Sequence, residues 1–217
     1  MTTRWIRESL SPEDVEALRR IVPAGEKPGI RISIDPPTPV VRAALAPVIH
    51  LVKSYYVDAF PVRVVAFSKS TQASWSVPWH QDRVVALREK QTADGFSAWQ
   101  QKTGIWHAEA PIDILRTLLF VRVLLDEVPE HAGGLIFAKG SHALGDVSAD
   151  NAENEANKFD EQYESGAAGD VVVMPALTLH RSRRSPQLRR ALRIDFARER
   201  LPFGLQYASA YASNDCC

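Results

Sequence analysis

The sequence has little cysteine, no excess of charge of either sign and no long apolar run. Its only cysteines are Cys216 and Cys217, the last two residues. Adjacent cysteines at a chain end rarely form a structural disulfide, so we expect a reducing compartment. The 26 basic and 26 acidic residues balance, which predicts no general attraction to nucleic acid or to an acidic membrane. No segment is apolar enough to span a bilayer, and residues 1–15 lack the apolar core of a secretory signal, so we expect a cytoplasmic protein.

The chain is long enough for one core, and we predict a single domain over residues 1–217. A helix is predicted in SPEDVEALRRIV, with Ser11 as its N-cap, and another in VVRAALAPVIHLVKSYY, where Pro47 predicts a kink or break. One strand-like segment lies between the two helices, and the others follow them. They are GIRISIDPPTPV, FPVRVVAFSKS, RTLLFVRVLLDEV, GGLIFAKGS, GDVVVMPAL and RRALRIDFARER. This order predicts an α+β, mainly β fold in which N-terminal helices pack on antiparallel sheets.

Two segments between the strands are predicted as irregular. Residues 88–113, which include GIWHAEAPID, are expected to form a loop near the strand of His80. Residues 142–170 are acidic and poor in apolar side chains, which favours a solvated loop or a surface helix. The functional alternative for this second segment is a lid that covers the functional site described next.

His80, Asp82 and His180 form the most informative pattern in the chain. In an extended strand, residues i and i+2 point to one face, so His80 and Asp82 can reach the same metal. His180 ends the apolar segment GDVVVMPALTLH and supplies a third ligand. Two imidazoles and one carboxylate leave open positions on iron(II), as oxygenases require. The structural alternative is an ordinary hydrogen-bonded His–Asp pair. The histidines without a matching partner motif are His50, His107, His131 and His142.

The segment RRALRIDFA carries charge on one face of a strand. Arg189, Arg193 and Asp195 share that face, while the apolar residues between them face the neighbouring layer. A buried guanidinium needs a partner, and a dicarboxylate co-substrate is one candidate. An internal salt bridge, such as Arg193 with Asp195 or Asp126, is the other. Arg122 interrupts the apolar strand LLFVRVLL and either pairs structurally or meets a ligand carboxylate.

Four blocks together resemble the phytanoyl-CoA dioxygenase family of iron(II)/2-oxoglutarate oxygenases. They are WHQD, AGGLIFAKGSH, GDVVVMPALTLHRS and RRALRIDFA, in family order over the C-terminal two-thirds of the chain. The resemblance implies a double-stranded β-helix, or jelly roll, with His80, Asp82 and His180 as iron ligands. It also implies Arg189 as the residue that binds the distal carboxylate of 2-oxoglutarate.

The same resemblance implies roles for further residues. Members often have an aromatic residue where this chain has Arg122, next to 2-oxoglutarate, so Arg122 is a candidate for contact with the co-substrate or the substrate. Arg193, which shares the polar strand face with Arg189, is a candidate from its position alone. Gln81 and Ser182 are expected to orient the ligands and the co-substrate. Lys139 replaces the usual proline before GSH, which concerns local loop geometry. Halogenating relatives lack the metal carboxylate, and this chain has Asp82, so hydroxylation with iron(II), 2-oxoglutarate and O2 is expected.

The sequence is less specific about the substrate. Trp106, His107 and Glu109 are candidates for the substrate pocket, and a small-molecule metabolite is the expected substrate. We expect a monomer or homodimer, with neither nucleic acid nor a membrane as partner. The alternatives are a catalytically silent metal- or 2-oxoglutarate-binding jelly-roll sensor, and a demethylase on the same fold, although the neutral charge balance and the acidic segment argue against a nucleic-acid substrate.

Overall fold

The computed structural model describes residues 2–22, 29–70, 74–130, 133–185 and 187–212. His131, Cys216 and Cys217 lie outside these ranges. The helices of the described chain are α1 (Pro12–Ile21), α2 (Pro39–Tyr55), α3 (Ile112–Thr117) and α4 (Ala152–Ala156). Its strands are β1 (Arg4–Ile6), β2 (Ile30–Ile32), β3 (Phe60–Lys69), β4 (Val77–His80), β5 (Val84–Leu87), β6 (Ser97–Lys102), β7 (Ile105–Glu109), β8 (Leu119–Leu124), β9 (Leu135–Ala138), β10 (Glu161–Tyr163), β11 (Val171–Pro175), β12 (His180–Ser182) and β13 (Arg189–Ala197).

Two antiparallel sheets form the centre of the molecule. The six-stranded sheet has the order β1-β11-β8-β13-β3-β2, and the four-stranded sheet has the order β10-β9-β12-β4. Side chains of both sheets line one shared pocket, so the sheets face each other across it. This is a jelly roll, as predicted from the sequence.

The N-terminal helices cover the outer face of the six-stranded sheet. Ser11 caps α1 as predicted: its hydroxyl accepts from the backbone N–H of Asp14, and the Asp14 carboxylate accepts from the backbone N–H of Ser11. Leu18 of α1 and Leu45 of α2 are fully buried in the same cluster as Leu192 and Ile194 of β13. Burying each such side chain contributes about 1.5–3 kcal/mol. The outward side chains of β13 therefore pack in the core, and its inward side chains point toward the pocket.

The α2 helix runs through Pro47 without a break, so the prediction of a break there is wrong. A proline inside a helix removes the hydrogen bond to the carbonyl of the residue four positions earlier, which here is Ala43. Ala43 is exposed, so water can satisfy that carbonyl. The buried residues Leu45 and Val48 on the opposite side hold the helix against the sheet.

The prediction of a loop over residues 88–113 is also wrong, because β6 and β7 form a hairpin that pairs with β5 in a three-stranded sheet. Lys102 pairs with Ile105 across the two-residue turn Thr103–Gly104, whose residues have φ of 49° and 80°. Two positive φ values match the twist of the flanking strands. Nearly all of β6 is exposed and polar, so it lacks the apolar alternation by which strands are recognised.

The acidic segment is partly ordered into a surface helix and an edge strand. The helix α4 agrees with the predicted surface helix, and it buries Ala152 and Ala156 in a cluster with Trp79 of β4. The strand β10 pairs with β9, which the composition of the segment does not predict. The segment therefore packs against the strand that carries His80.

Among the residues that the structure describes, no helix combines the length and the apolar character required to cross a membrane.

Gly134, just before β9, gives a test of how closely β9 packs against the chain that leaves β10. A Cβ at Gly134 would overlap the carbonyl oxygen of Glu164, so we expect Gly134→Ala to lower the free energy of unfolding by about 1–3 kcal/mol. Gly29→Ala is the control, since its Cβ would lie 3.4 Å from Phe67, an ordinary contact. Urea denaturation of both variants measures the difference. Equal stability of the two variants would contradict this packing.

Candidate active site

His80, Asp82 and His180 lie together at one end of the shared pocket. His80 ends β4 and His180 begins β12, and the two residues are direct partners in the register of these strands. Their ring centroids are 4.3 Å apart. Asp82 follows two residues after His80, just beyond the strand end. Each residue offers one ligand atom, and the three atoms lie within 4.8 Å of one another. They are therefore close enough to bind one metal ion.

Backbone carbonyls fix which nitrogen of each imidazole faces the cluster. His80 Nδ1 lies 2.8 Å from the carbonyl of Pro78, and His180 Nδ1 lies 2.9 Å from the carbonyl of Thr178. A carbonyl only accepts, so each Nδ1 carries a proton and each Nε2 is the nitrogen that faces the cluster. His180 Nε2 stands 3.3 Å from Asp82 Oδ2. Two lone-pair donors at this separation suit a shared cation, and the donor set fits iron(II).

Charges around the cluster keep these ligands in the forms that bind a metal. Burial and the neighbouring His180 lower the pKa of His80 below its usual value. Burial alone would raise the pKa of Asp82, but the Arg193 guanidinium outweighs it and holds that pKa well below the usual value. At neutral pH the imidazole is therefore uncharged and the carboxylate ionised, as ligation requires.

Behind the three ligands the jelly roll encloses a pocket of about 140 Å³. Phe67, Phe120 and Met174 supply apolar walls, and Lys69, Arg122, Ser182, Arg189 and Arg193 supply polar groups. The pocket is thus a metal cluster backed by cations, which suits an anionic ligand that also chelates the metal.

Arg189 is buried at the far end of this pocket. Its Nη1 donates to Glu164 Oε2 at 2.8 Å, while its Nε has no hydrogen-bond partner among the described residues. Arg122 forms a two-pronged pair with the same carboxylate: its Nε contacts Oε1, and its Nη2 donates to Oε2 at 3.2 Å. Arg122 therefore has the structural pairing that its sequence context left open, and Arg189 keeps one donor for a ligand.

The sequence reasoning missed Lys69, which lines the pocket, and Glu164, which lies behind the pocket wall and pairs with Arg122 and Arg189. Burial alone would raise the pKa of Glu164, but the charges of Arg122 and Arg189 lower it to about 2. Lys69 Nζ donates to Ser182 Oγ at 3.1 Å and to the carbonyls of Trp75 and Arg183. Burial and the charges of Arg189 and Arg122 lower the pKa of Lys69 to about 7. Two arginines and a lysine thus face one carboxylate, and an arriving anion would stabilise the charged form of Lys69.

Arg193 lies beside the metal cluster. It pairs with Asp82 and donates to Asp195 Oδ1 at 2.6 Å, and its guanidinium stacks 3.7 Å from the ring centre of Phe120. Asp195 also accepts from Arg63 Nε at 2.5 Å. The pair of Arg193 with Asp195 is the internal salt bridge considered from the sequence. Asp126 instead pairs with Arg190.

Gln81 does not contact the ligands, contrary to the role expected for it. Its amide nitrogen donates to the carbonyls of Gly145 and Leu177, and its oxygen accepts from the backbone N–H of Val147. Its side chain faces away from the pocket and ties the acidic segment to the loop before His180. Ser182, by contrast, does line the pocket.

The three candidate substrate residues lie on β7 and not in the pocket of the metal cluster. Trp106, His107 and Glu109 are absent from the lining of that pocket in the described structure. Trp106 lies under the ammonium of Lys90 at 5.6 Å from the ring centre. His107 is buried, and its Nε2 has no hydrogen-bond partner among the described residues.

Comparison with known proteins gives one family. The sequence profile of phytanoyl-CoA dioxygenase (PhyH) matches residues 38–191, a range that contains His80, Asp82, His180 and Arg189. No curated protein matches the chain.

Solved structures resemble the chain at low sequence identity. EctD from S. alaskensis, solved with 2-oxoglutarate and 5-hydroxyectoine, is 15% identical with a TM-score of 0.64, over 90% of this chain and 72% of that chain. The carbocyclase SnoK of nogalamycin biosynthesis is 15% identical with a TM-score of 0.60, over 90% and 79%. HygX from Streptomyces hygroscopicus, with nickel and 2-oxoglutarate bound, is 15% identical with a TM-score of 0.57, over 90% and 82%. These likenesses establish a shared fold.

Glu164 should be essential to the stability of the pocket. Its removal leaves the guanidinium of Arg189 without a charged partner and takes the two-pronged pair from Arg122, so we expect Glu164→Gln to lower the free energy of unfolding by about 3–5 kcal/mol. Glu161→Gln is the matched control, because Glu161 pairs at 2.5 Å with a partly exposed Arg181, and such a pair contributes at most about 1 kcal/mol.

The pKa of Glu164 determines how the difference in unfolding free energy between the wild type and Glu164→Gln depends on pH. The folded-state value of about 2 lies below the usual value of 4.5, so the stabilisation is fully present above 4.5 and is lost as the pH falls toward 2. Urea denaturation of the wild type and Glu164→Gln at neutral and acidic pH measures it. A difference that stays constant across that pH range would contradict the ion-paired state of Glu164.

Proposed function

The chain belongs to the phytanoyl-CoA dioxygenase family, and we propose that it is an iron(II)- and 2-oxoglutarate-dependent oxygenase that hydroxylates an unactivated C–H bond of a small molecule. The overall reaction consumes 2-oxoglutarate, O2 and the substrate R–H, and yields succinate, CO2 and R–OH. One observation carries the proposal: an open-faced His–Asp–His cluster stands at the mouth of a pocket whose cations outnumber its carboxylates.

The proposed iron ligands are His80, Asp82 and His180. When bound, iron(II) with 2-oxoglutarate supplies the oxidising chemistry for O2 activation. The chain contributes the positions of the ligands. The carbonyls of Pro78 and Thr178 hold the two imidazoles with Nε2 toward the cluster. Arg193 holds the carboxylate of Asp82 in place and ionised, and is in turn held by Asp195.

The distal carboxylate of 2-oxoglutarate is assigned to the end of the pocket at Arg189. The unpartnered Nε of Arg189 offers a donor there, and Lys69 and Ser182 line the same region. Glu164 keeps Arg122 and Arg189 fixed on its two oxygens. This pairing orders the guanidiniums before the co-substrate arrives, so less conformational entropy is lost on binding.

Apolar side chains limit water around the reacting atoms. Phe120 covers Arg193, and Phe67, Leu135 and Met174 complete the pocket wall. Electrostatic interactions strengthen when water is excluded, which favours the binding of a charged co-substrate among these cations.

Removal of a proposed iron ligand gives the main test. We expect Asp82→Ala to abolish succinate formation from 2-oxoglutarate in a mixture of small metabolites, because one of three metal ligands is lost. Asp146→Ala is the control, since Asp146 is exposed and pairs with Arg83. Mass spectrometry of the metabolites, with thermal melting of each variant, measures the outcome. Full activity of a folded Asp82→Ala would contradict the ligand assignment.

The mass of the product identifies the reaction. A gain of one oxygen supports hydroxylation. Loss of two hydrogens indicates a ring closure or desaturation, and an unchanged mass with altered retention indicates epimerisation. Loss of a methyl group from a peptide or nucleic acid indicates the demethylase alternative. Binding of iron and 2-oxoglutarate without succinate formation for any metabolite would identify the sensor alternative and overturn the enzyme proposal.

Arg189 and its neighbour Arg190 should differ in their effect on the co-substrate. A charged hydrogen bond contributes about 1.5–3 kcal/mol, so we expect Arg189→Gln to raise the KM for 2-oxoglutarate roughly tenfold or more. Arg190 pairs with Asp126 outside the pocket, and we expect Arg190→Gln to leave this KM within about twofold. Steady-state succinate formation at varied 2-oxoglutarate measures both values. An unchanged KM in Arg189→Gln would place the carboxylate elsewhere, at Arg193 or Lys69.

A further inference from the structure

A second and larger cavity lies beside the site. It is a cleft of about 640 Å³ between β2 and β3 of the six-stranded sheet and the sheet of β5, β6 and β7. Arg31, Arg63 and Arg88 are the cations of its wall, and Ile34, Leu87 and Ile105 are among its apolar residues. The catalytic assignments above use none of these side chains, so the role of the cleft is open.

The cations of the cleft differ in their partners. Arg88 is paired with Asp35 at 2.8 Å, and Arg63 is paired with Asp195 at 2.5 Å. Arg31 pairs with no acidic side chain among the described residues, and its Nε and Nη1 are buried without any hydrogen-bond partner there. Buried guanidinium donors without partners are costly, so this arrangement calls for an acceptor that the described residues do not supply.

The surroundings of Arg31 do not neutralise it. The nearest carboxylate that acts on it is Asp195, which already serves Arg63 and Arg193. Burial and the charge of Arg63 lower the pKa of Arg31 to about 10, so it remains a cation at neutral pH. Burial and the charge of Arg31 lower the pKa of His107 to about 4, so this neighbour is neutral. Among the residues that the structure describes, Arg31 is therefore a positive charge of the cleft wall with no ion-pair partner.

The register of the sheet relates this charge to the metal cluster. Arg31 is the partner of Val65, and Val65 is the partner of Arg193. Neighbouring strands lie about 4.8 Å apart, so the backbone of Arg31 is roughly 10 Å from that of Arg193, whose guanidinium contacts Asp82. On the other side, Ala86 and Leu87 of the cleft wall belong to the strand that follows Asp82. The cleft is thus bordered by the strand next to that of Arg193 and by the strand that follows Asp82.

We propose that the cleft binds the substrate through an anionic group, a carboxylate or a phosphate, with Arg31 as the anchoring cation. The inference that the anion belongs to a substrate rests on the proposed function. A guanidinium binds either anion with a two-pronged geometry, and such an anion supplies the acceptor that the buried Nε and Nη1 lack. The substrate class is thus a small organic acid or a phosphate ester.

The first experiment measures anion binding without iron or turnover. The folded, iron-free chain is titrated with inorganic phosphate and with acetate at constant ionic strength, and thermal melting and ³¹P line widths are recorded. All proteins carry Arg189→Gln, so that the co-substrate end of the pocket is weakened equally. We expect Arg31→Gln to reduce the apparent phosphate affinity tenfold or more, Arg31→Lys to reduce it less, and the exposed Arg20→Gln to leave it unchanged.

The melting temperature without added anion separates binding from structure. Because Arg31 has no partner to lose among the described residues, Arg31→Gln should melt at or above the temperature of its parent. A lower melting temperature would assign Arg31 to the fold and overturn the proposal, as would an anion response equal to that of the parent. A stronger response to phosphate than to acetate supports a phosphate ester, and the reverse supports a carboxylate.

The second experiment tests the substrate class with the iron-loaded wild type. A metabolite extract is separated by anion exchange into retained and unretained fractions, and each is assayed for succinate formation and for an oxidised product. Product from the retained fraction supports the proposal, and product from the unretained fraction alone overturns it while leaving the proposed function intact. Absence of succinate from every fraction contradicts the proposed function instead, and the phosphate titration then decides whether the cleft binds anions.

Discussion

The structure depends on how charged side chains are paired inside a jelly roll. One face of β13 packs in the apolar core and the other points Arg189, Arg193 and Asp195 into the interior. An unpaired charge in such a place costs several kcal/mol. Two distant segments supply carboxylates that pair with these arginines, Glu164 after β10 and Asp82 after β4. Asp195, on β13 itself, supplies a third. The ion pairs therefore fix how the two sheets meet, in addition to their hydrogen-bonded registers.

This pairing also divides the interior into regions of different charge. At the metal end, Asp82 lies among two imidazoles and Arg193, so a divalent cation finds one negative ligand already ionised. Arg189 lies four residues along β13 from Arg193, about 13 Å by the backbone. It shares the carboxylate of Glu164 with Arg122, whose own backbone pairs with that of Arg193. Lys69 lies beside this group. A ligand with a chelating group at one end and a carboxylate at the other matches this separation of charge. The same polarity opposes a cationic ligand in that orientation.

The sequence predicted the parts of the site that follow from local geometry. The two-residue period of a strand puts Arg189 and Arg193 on one face, and the H-x-D spacing brings His80 and Asp82 together even though β4 ends at His80. Lys69 was missed. It shares the inward face of β3 with Arg63, so the alternation of inward and outward side chains along that strand could have revealed it. Glu164 could not be found in this way. It lies 42 residues from Arg122 and 25 from Arg189, in an acidic segment whose other carboxylates are mostly solvated, and only the pairing of β10 with β9 brings it inside.

The arginines of the two cavities differ in how many of their hydrogen-bond donors are paired. This difference sets apart two positions at which an anion can bind, one at Arg189 and one at Arg31. Arg122 has its carboxylate and Arg193 has two, whereas Arg189 keeps one free donor and Arg31 keeps two among the described residues. The two arginines with spare donors lie in different directions from Asp82, one along β13 and one across β3. An anion at one position therefore does not block the other. A guanidinium attracts any carboxylate, so under the two proposals the shape of each cavity must distinguish co-substrate from substrate: a narrow pocket of about 140 Å³ at Arg189, and a cleft of about 640 Å³ at Arg31.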